Sequence, residues 1–253
     1  MKIRPGIELA SLTDVGCQRE NNEDQYSYWE PESDEQFALK GRLAIVADGM
    51  GGHEGGQEAS RIAVDTVQQT YAMGPGADIQ ALLTNAFHVA HRRIQDFAFR
   101  RPEFSGMGTT CTAIALRQNQ LYYAHVGDSR LYLLRGSVLS RLTHDHSYVG
   151  RLVETGVIRS EEAEFHPQRH ILTSALGAGL DISLDCPSTP VPVQKDDLLV
   201  LCSDGMWGMV SEREIQDALA ERSLEKASRK LVDLAKQHGG PDNITVQLIR
   251  ISE

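Results

Sequence analysis

Apolar residues recur along this chain in two rhythms. Leu43–Ala47 is a continuous apolar run ending at Asp48, and Leu198–Cys202 is another. Thr109–Leu116 is rich in Thr, Ala and Ile, Leu121–Val126 follows the turn-like Gln118–Asn119, and Ile244–Ile251 alternates. These five segments read as strands. Helical spacing appears elsewhere. Ile79, Leu82, Leu83, Ala86, Phe87, Ala90, Ile94 and Phe97 make one stripe, and Ala59, Ile62, Ala63 and Val67 make another just after a glycine-rich loop. Ser211 with Glu214 matches a capping box ahead of a third helix. Leu224, Ala227, Leu231, Leu234 and Ala235 predict a last helix, with Gly239 placed to end it.

In this order the strands run consecutively instead of alternating with helices. A doubly wound parallel sheet is disfavoured, and antiparallel β layers covered by helices are favoured. No Pro- or Ser-rich linker and no internal repeat divides the chain, so one compact domain over 1–253 is expected. Residues 144–180 hold Gly and Pro breaks together with His144, His146, His166 and His170, and read as an irregular surface excursion.

Composition narrows the possibilities. Of 253 residues, 41% are hydrophobic and 24% charged, as in ordinary globular chains. The net charge of −10 and the lack of a basic cluster count against a nucleic-acid partner. Cys17, Cys111, Cys186 and Cys202 form no Cys-x-x-Cys pair, which disfavours zinc and a disulfide framework. The opening MKIRPGIELAS lacks a signal peptide's apolar stretch, and no run of about 18 apolar residues offers a membrane span. A cytoplasmic monomer with no membrane anchor is therefore expected.

The chemistry-bearing pattern is acidic. Asp48, Asp128 and Asp204 follow predicted strands, and Asp242 precedes the last one. Asp before Gly is also a common turn element. Carboxylates converging in one cleft repel unless cations lie between them, and an all-oxygen ligand set suits Mg²⁺ or Mn²⁺. Two such ions can activate a water and clamp a phosphoryl group. The loop Asp48-Gly49-Met50-Gly51-Gly52-His53 lies between a strand and a helix but lacks the Gly-Lys-Ser/Thr ending of a nucleotide loop. Its glycines instead let backbone approach an ion and offer a carbonyl.

Seven motifs in order then resemble the metal-dependent protein phosphatases of type 2C, prokaryotic Ser/Thr branch. They are Asp14–Asp24 (DVGCQRENNED), Asp48–His53, Gly106–Thr110, Gly127–Arg130, Thr143–Ser147, Ser203–Trp207 and Asp242-Asn243. The resemblance covers about residues 8–250. It implies an α+β fold, a four-layer α-β-β-α sandwich of two mostly antiparallel sheets flanked by helices. It also implies hydrolysis of phosphoserine and phosphothreonine in proteins, with Mn²⁺ or Mg²⁺, two ions and a third. By the resemblance, Asp48 bridges two metals, the Gly49 carbonyl ligates the first, and Asp204 and Asp242 complete the second. Asp128 joins Asp204 at the third, Glu23 and Asp24 act through metal-bound waters, and Arg19 holds the substrate phosphate. Residues 144–180 would be the flap beside the site, and the substrates would be targets of a Ser/Thr kinase.

One position departs from the eukaryotic pattern. Met50 stands where those members carry a histidine proposed as the acid for the leaving group. His53 is one candidate for that acid, bracing of the loop being its plainer role; a metal-bound water is the other. Trp207, Met206 and Met209 read as packing residues, and Arg130 as the partner of a nearby carboxylate or, alternatively, a phosphate contact. The rival functions are a catalytically weak phosphoprotein-binding domain of the same fold and a two-metal hydrolase of nucleotides or nucleic acid. The first would show the loss of a metal aspartate, and none is lost.

Overall fold

The computed structural model describes residues 3–51, 54–163 and 166–253. In chain order the elements are β1 (Ile7–Asp14), β2 (Asp24–Trp29), α1 (Asp34–Lys40), β3 (Arg42–Met50), α2 (Gly55–Met73), α3 (Ile79–Arg100), β4 (Gly108–Thr109), β5 (Cys111–Arg117), β6 (Gln120–Val126), β7 (Arg130–Arg135) and β8 (Val138–Arg141). They continue with α4 (Tyr148–Glu154), α5 (Ser160–Ala163), β9 (Val191–Pro192), β10 (Leu198–Cys202), α6 (Asp204–Trp207), α7 (Glu212–Leu219), α8 (Leu224–Gln237) and β11 (Ile244–Ile251).

Two sheets form, ordered β1-β11-β10-β7-β8 and β2-β3-β5-β6-β9, with β4 pairing β3. Their ladders are antiparallel. Strand β3 shows why its sequence is a continuous apolar run. Leu43, Ile45 and Ala47 pack outward under α2 and α3, while Ala44 and Val46 pack inward against the other sheet. In β10, Leu198, Val200 and Cys202 face α6, α7 and α8, while Leu199 and Leu201 meet Val46 and Ile114 between the sheets. Strands buried on both faces have no polar alternation to show. The result is the expected α-β-β-α sandwich.

The period-2 geometry also sets the direction of the acids. Asp48 continues the inward series of Ala44 and Val46. The β2–β3 register makes Asp24 the Cα partner of Asp48. Thr110 then fastens Asp48 to the neighbouring turn. Its N–H donates to the Asp48 carbonyl (2.8 Å), its Oγ1 accepts from the Asp48 N–H (3.0 Å), and the same Oγ1 lies 2.7 Å from Ser129 Oγ.

The expectation of an irregular segment at 144–180 needs correction. Ser147 caps α4 through the Gly150 N–H, and α5 follows. The end of the segment is core: Leu176 is fully buried and its backbone pairs with Thr109. Short helices with few apolar positions give little periodicity to read, and Ala175 and Leu176 are two buried residues followed by the glycines at 177 and 179.

Candidate metal centre

All five aspartates of interest lie at one end of the sandwich. Asp24 opens β2, Asp48 is near the end of β3, Asp128 is in the turn between β6 and β7, Asp204 starts α6, and Asp242 precedes β11. Close backbone approach is needed to gather them. A Cβ on Gly205 would lie 2.0 Å from the Asn243 carbonyl oxygen, so glycine after Asp204 lets that turn abut Asp242-Asn243. A Cβ on Gly49 would lie 2.0 Å from the Gly56 carbonyl oxygen, so the start of α2 can close over the turn after Asp48.

The carboxylates perturb each other strongly. Asp24 is 3% exposed and Asp128 6%. Asp48 and Asp204 keep some surface on the cleft but are densely surrounded elsewhere. Burial pushes the Asp48 carboxyl far above the usual range, and the charges of Asp24, Asp204, Asp128 and Asp242 push it further. Asp128 is raised by burial and then by Asp204 and Asp145, against the pull of Arg130. Asp204 is raised by burial and by Asp242, although a hydrogen bond with Asp48 counteracts this. Burial lifts Asp24 to about 7, despite hydrogen bonds from Thr245 and Ser203; the Ser203 Oγ donates to its Oδ2 at 2.7 Å.

Arg19 ion-pairs with this cluster. Its Nη2 lies 2.8 Å from Asp242 Oδ2, and its side chain is half exposed. Burial opposes its charge, but Asp242, Glu23 and Asp48 outweigh that and raise its pKa. Burial raises the Glu23 carboxyl, with Asp242 adding to the rise and Arg19 opposing it. A single exposed guanidinium does not neutralise so many acids.

The fit to divalent cations rests on two orphaned atoms and on donor chemistry. Asp204 Oδ1 and Asp24 Oδ1 are buried without a hydrogen-bond partner among the described residues. A buried carboxylate oxygen left bare is costly unless something positive meets it. The donors are hard oxygens, which suit Mg²⁺ or Mn²⁺. Among the described residues, no three acidic, imidazole or thiol groups close on one point tightly enough to enclose an ion as they stand; Arg19 rests on Asp242 instead. The residues fit the ions in chemistry and location, although they do not enclose an ion as they stand.

The structure therefore brings Arg19, Glu23, Asp24, Asp48, Asp204 and Asp242 together, with Asp128 coupled to Asp48 and Asp204. His53 lies outside the described residues. Met50 pairs with Gly108 at the rim and offers no proton. Arg130 is bound to a carboxylate: its Nε and Nη2 donate to Asp145 Oδ1 (3.0 Å) and Oδ2 (2.6 Å).

Asn243 is a site residue to which sequence reasoning gave no role. Its Oδ1 accepts from the Glu23 N–H (2.7 Å), and its Nδ2 donates to the carbonyls of Val15 (3.0 Å) and Asn21 (2.9 Å). It thus holds the loop that carries Arg19 and Glu23. The available signal was its place beside Asp242 in a motif whose aspartate alone received a role.

Comparison with known proteins gives this geometry a family. The model for protein phosphatase 2C matches residues 18–238. The serine/threonine phosphatase stp of Listeria monocytogenes is 39% identical over 242 residues, spanning 94% of this chain and 93% of that one. The crystal structure of the Mycobacterium tuberculosis serine/threonine phosphatase PstP/Ppp superposes with a TM-score of 0.85 at 35% identity, over 98% of this chain and 100% of that one. The catalytic domain of PstP in complex with two manganese ions superposes at 0.83 with 33% identity, over 98% of this chain and 99% of that one. The chain belongs to the protein phosphatase 2C family.

Proposed function

We propose that this chain is a metal-dependent phosphatase that removes phosphate from phosphoserine and phosphothreonine in proteins. The observation that carries the reading is the cluster of Asp24, Asp48, Asp128 and Asp204, each raised in pKa, beside Asp242, with Asp204 Oδ1 and Asp24 Oδ1 bare among the described residues. The relatives named above, one of them holding two manganese ions, support it.

In this reading Asp48, the Gly49 carbonyl, Asp204 and Asp242 would hold two Mn²⁺ or Mg²⁺ ions, and Asp128 with Asp204 would hold a third, weaker ion. When bound, the ions supply a water made nucleophilic at neutral pH and a counter-charge for the phosphoryl group. This chain's own residues do the rest. Glu23 and Asp24 accept hydrogen bonds from water around the ions. Arg19, which rests on Asp242 here, would offer its planar fork to two phosphate oxygens. Ser203 holds the Asp24 carboxyl in place.

The acid for the departing serine or threonine oxygen would be a water ordered at the ions or His53. The whole of 1–253 acts as one catalytic domain, with about 144–180 as the flap beside the site. Four free cysteines accord with a reducing cytoplasm. Among the described residues no helix is long and apolar enough to cross a membrane. The substrates are phosphoproteins made by a Ser/Thr kinase.

The test is hydrolysis of a phosphothreonine peptide with Mn²⁺, with Mg²⁺ and with chelator, on the native chain and on Asp204→Asn. Turnover that needs the ion and is lost in the variant supports the reading. Peptide binding without turnover would favour the phosphoprotein-binding alternative.

A further inference from the structure

Two residues that the proposed reaction does not use are joined to Asp128 by an unbroken series of contacts. Asp128 occupies a turn, and its backbone carbonyl accepts a hydrogen bond from the Trp207 indole Nε1–H at 2.9 Å. Trp207 belongs to the same helical turn as Asp204. The Arg130 guanidinium lies on the indole, its Cζ 3.4 Å from the ring centroid. The edge of that guanidinium is taken up by the forked pair with Asp145 and by Nη1 donating to Tyr132 Oη at 3.0 Å. Arg130 is therefore unavailable to a phosphate. Its side chain is 15% exposed and that of Asp145 12%, so the pair is well shielded from solvent.

We propose that Arg130 is a positioning residue for Asp128, acting through the Trp207 indole. An indole ring can turn about its side-chain bonds, and its N–H turns with it. A flat cation fixed along its edge and stacked on one face removes that freedom. The N–H then holds the Asp128 backbone at a set place relative to Asp204, which lies three residues before Trp207 on α6. The bracket sets the spacing of the two carboxylates assigned to the third, weaker ion. Lysine in place of Arg130 could keep the charge but not both the fork and the stack.

The inference rests on the reading of Asp128 as a ligand of that ion, and the experiment separates the two. Mn²⁺ binding to the full chain is followed by electron paramagnetic resonance of free Mn²⁺, without substrate. The variants are Asp128→Asn, Trp207→Phe, Arg130→Lys and the double variant, and metal-free melting temperatures check folding. Asp128→Asn is expected to remove the weakest class of bound Mn²⁺. Trp207→Phe keeps the packing and loses the N–H; it is expected to weaken that class about 10-fold, as outer partners of metal ligands do, and to leave the tighter ions unchanged. Arg130→Lys shifts the same class in the same direction. The double variant binds no more weakly than Trp207→Phe alone, because one residue acts through the other. If Arg130→Lys does not fold, Asp145→Asn frees the guanidinium in its stead. An unchanged weak class in Trp207→Phe, or additive effects in the double variant, overturns the inference while the Asp128 assignment stands. Unchanged Mn²⁺ binding in Asp128→Asn overturns that assignment and the inference with it.

Discussion

Asp24 and Asp48 are Cα partners across the β2–β3 ladder, so two carboxylates face one another where a sheet ordinarily avoids like charges. Asp204 and Asp242 add to the repulsion at Asp48. The fold thus carries a stability defect that a cation bound there would remove. Replacing Asp48 by Asn is expected to stabilise the metal-free protein by on the order of 1 kcal/mol, the worth of roughly one pKa unit of relieved repulsion. For a chain of this size that raises the metal-free Tm by about 2–4 °C. The same variant is expected to lose Mn²⁺-dependent turnover by about 100-fold or more. Calorimetry in chelator beside a phosphopeptide assay measures both; a lower metal-free Tm would show that the acids are not in conflict.

Arg19 has two positions in the account, on Asp242 without an ion and on the phosphate during turnover. Arg19→Ala is expected to raise KM for a phosphopeptide about 10-fold, the worth of a charge-assisted hydrogen bond, with kcat changed much less. Arg19→Lys should recover little of this, since a lysine cannot span two oxygens. Steady-state kinetics at saturating Mn²⁺ decide, and an unchanged KM moves phosphate binding to another residue.

Asn243 holds a loop by three hydrogen bonds from one side chain. Asn243→Ala strands the Glu23 N–H and two carbonyls and is expected to cost about 1–3 kcal/mol. Because Arg19 rides on the same loop, KM should rise as well. Denaturant unfolding and kinetics on the same preparation test this; full stability with normal KM would mean that the loop is held elsewhere.

His125 is fully buried, its Nδ1 2.8 Å from Thr112 Oγ1 and its Nε2 3.1 Å from the His144 carbonyl. Burial pushes its pKa down to about 4, and His146 adds to the fall while Asp145 and Asp185 oppose it. An unfolded histidine titrates near 6.5, so as pH falls the unfolded chain takes up the proton first. Stability contributed by neutral His125 is therefore complete above about 6.5, declines as pH drops, and levels off below about 4, a loss on the order of 3 kcal/mol. His125→Asn is expected to flatten the stability–pH slope across that window, whatever its effect on stability at neutral pH. An unaltered slope would assign the titration to other groups.

Much of this was visible before any coordinates. Strands β3 and β10 are buried on both faces, so their apolar runs stand out, and α3 and α8 bury stripes long enough to show their period. The capping box at Ser211 and Glu214 forms as written. The sequence pattern predicts none of β1, β2, β7, β8 and the two-residue β9. β1 and β8 are sheet edges and β2 is half-exposed, so polar residues such as Glu8, Ser11, Gln25 and Ser140 break their apolar rhythm. Helix α1 is too short to display a stripe. At the site the acids announced themselves by position at strand ends. Asn243 and the Trp207–Arg130 stack did not, because their roles are made by contacts between segments far apart in the chain.

Anomalous X-ray scattering from crystals of the native chain grown with Mn²⁺ tests the central claim most directly. Two strong manganese peaks are expected flanking Asp48, within ligand distance of Asp204 and Asp242, with the Arg19 guanidinium turned away from Asp242. A map without manganese at Asp48, and with Arg19 still paired to Asp242, would contradict it.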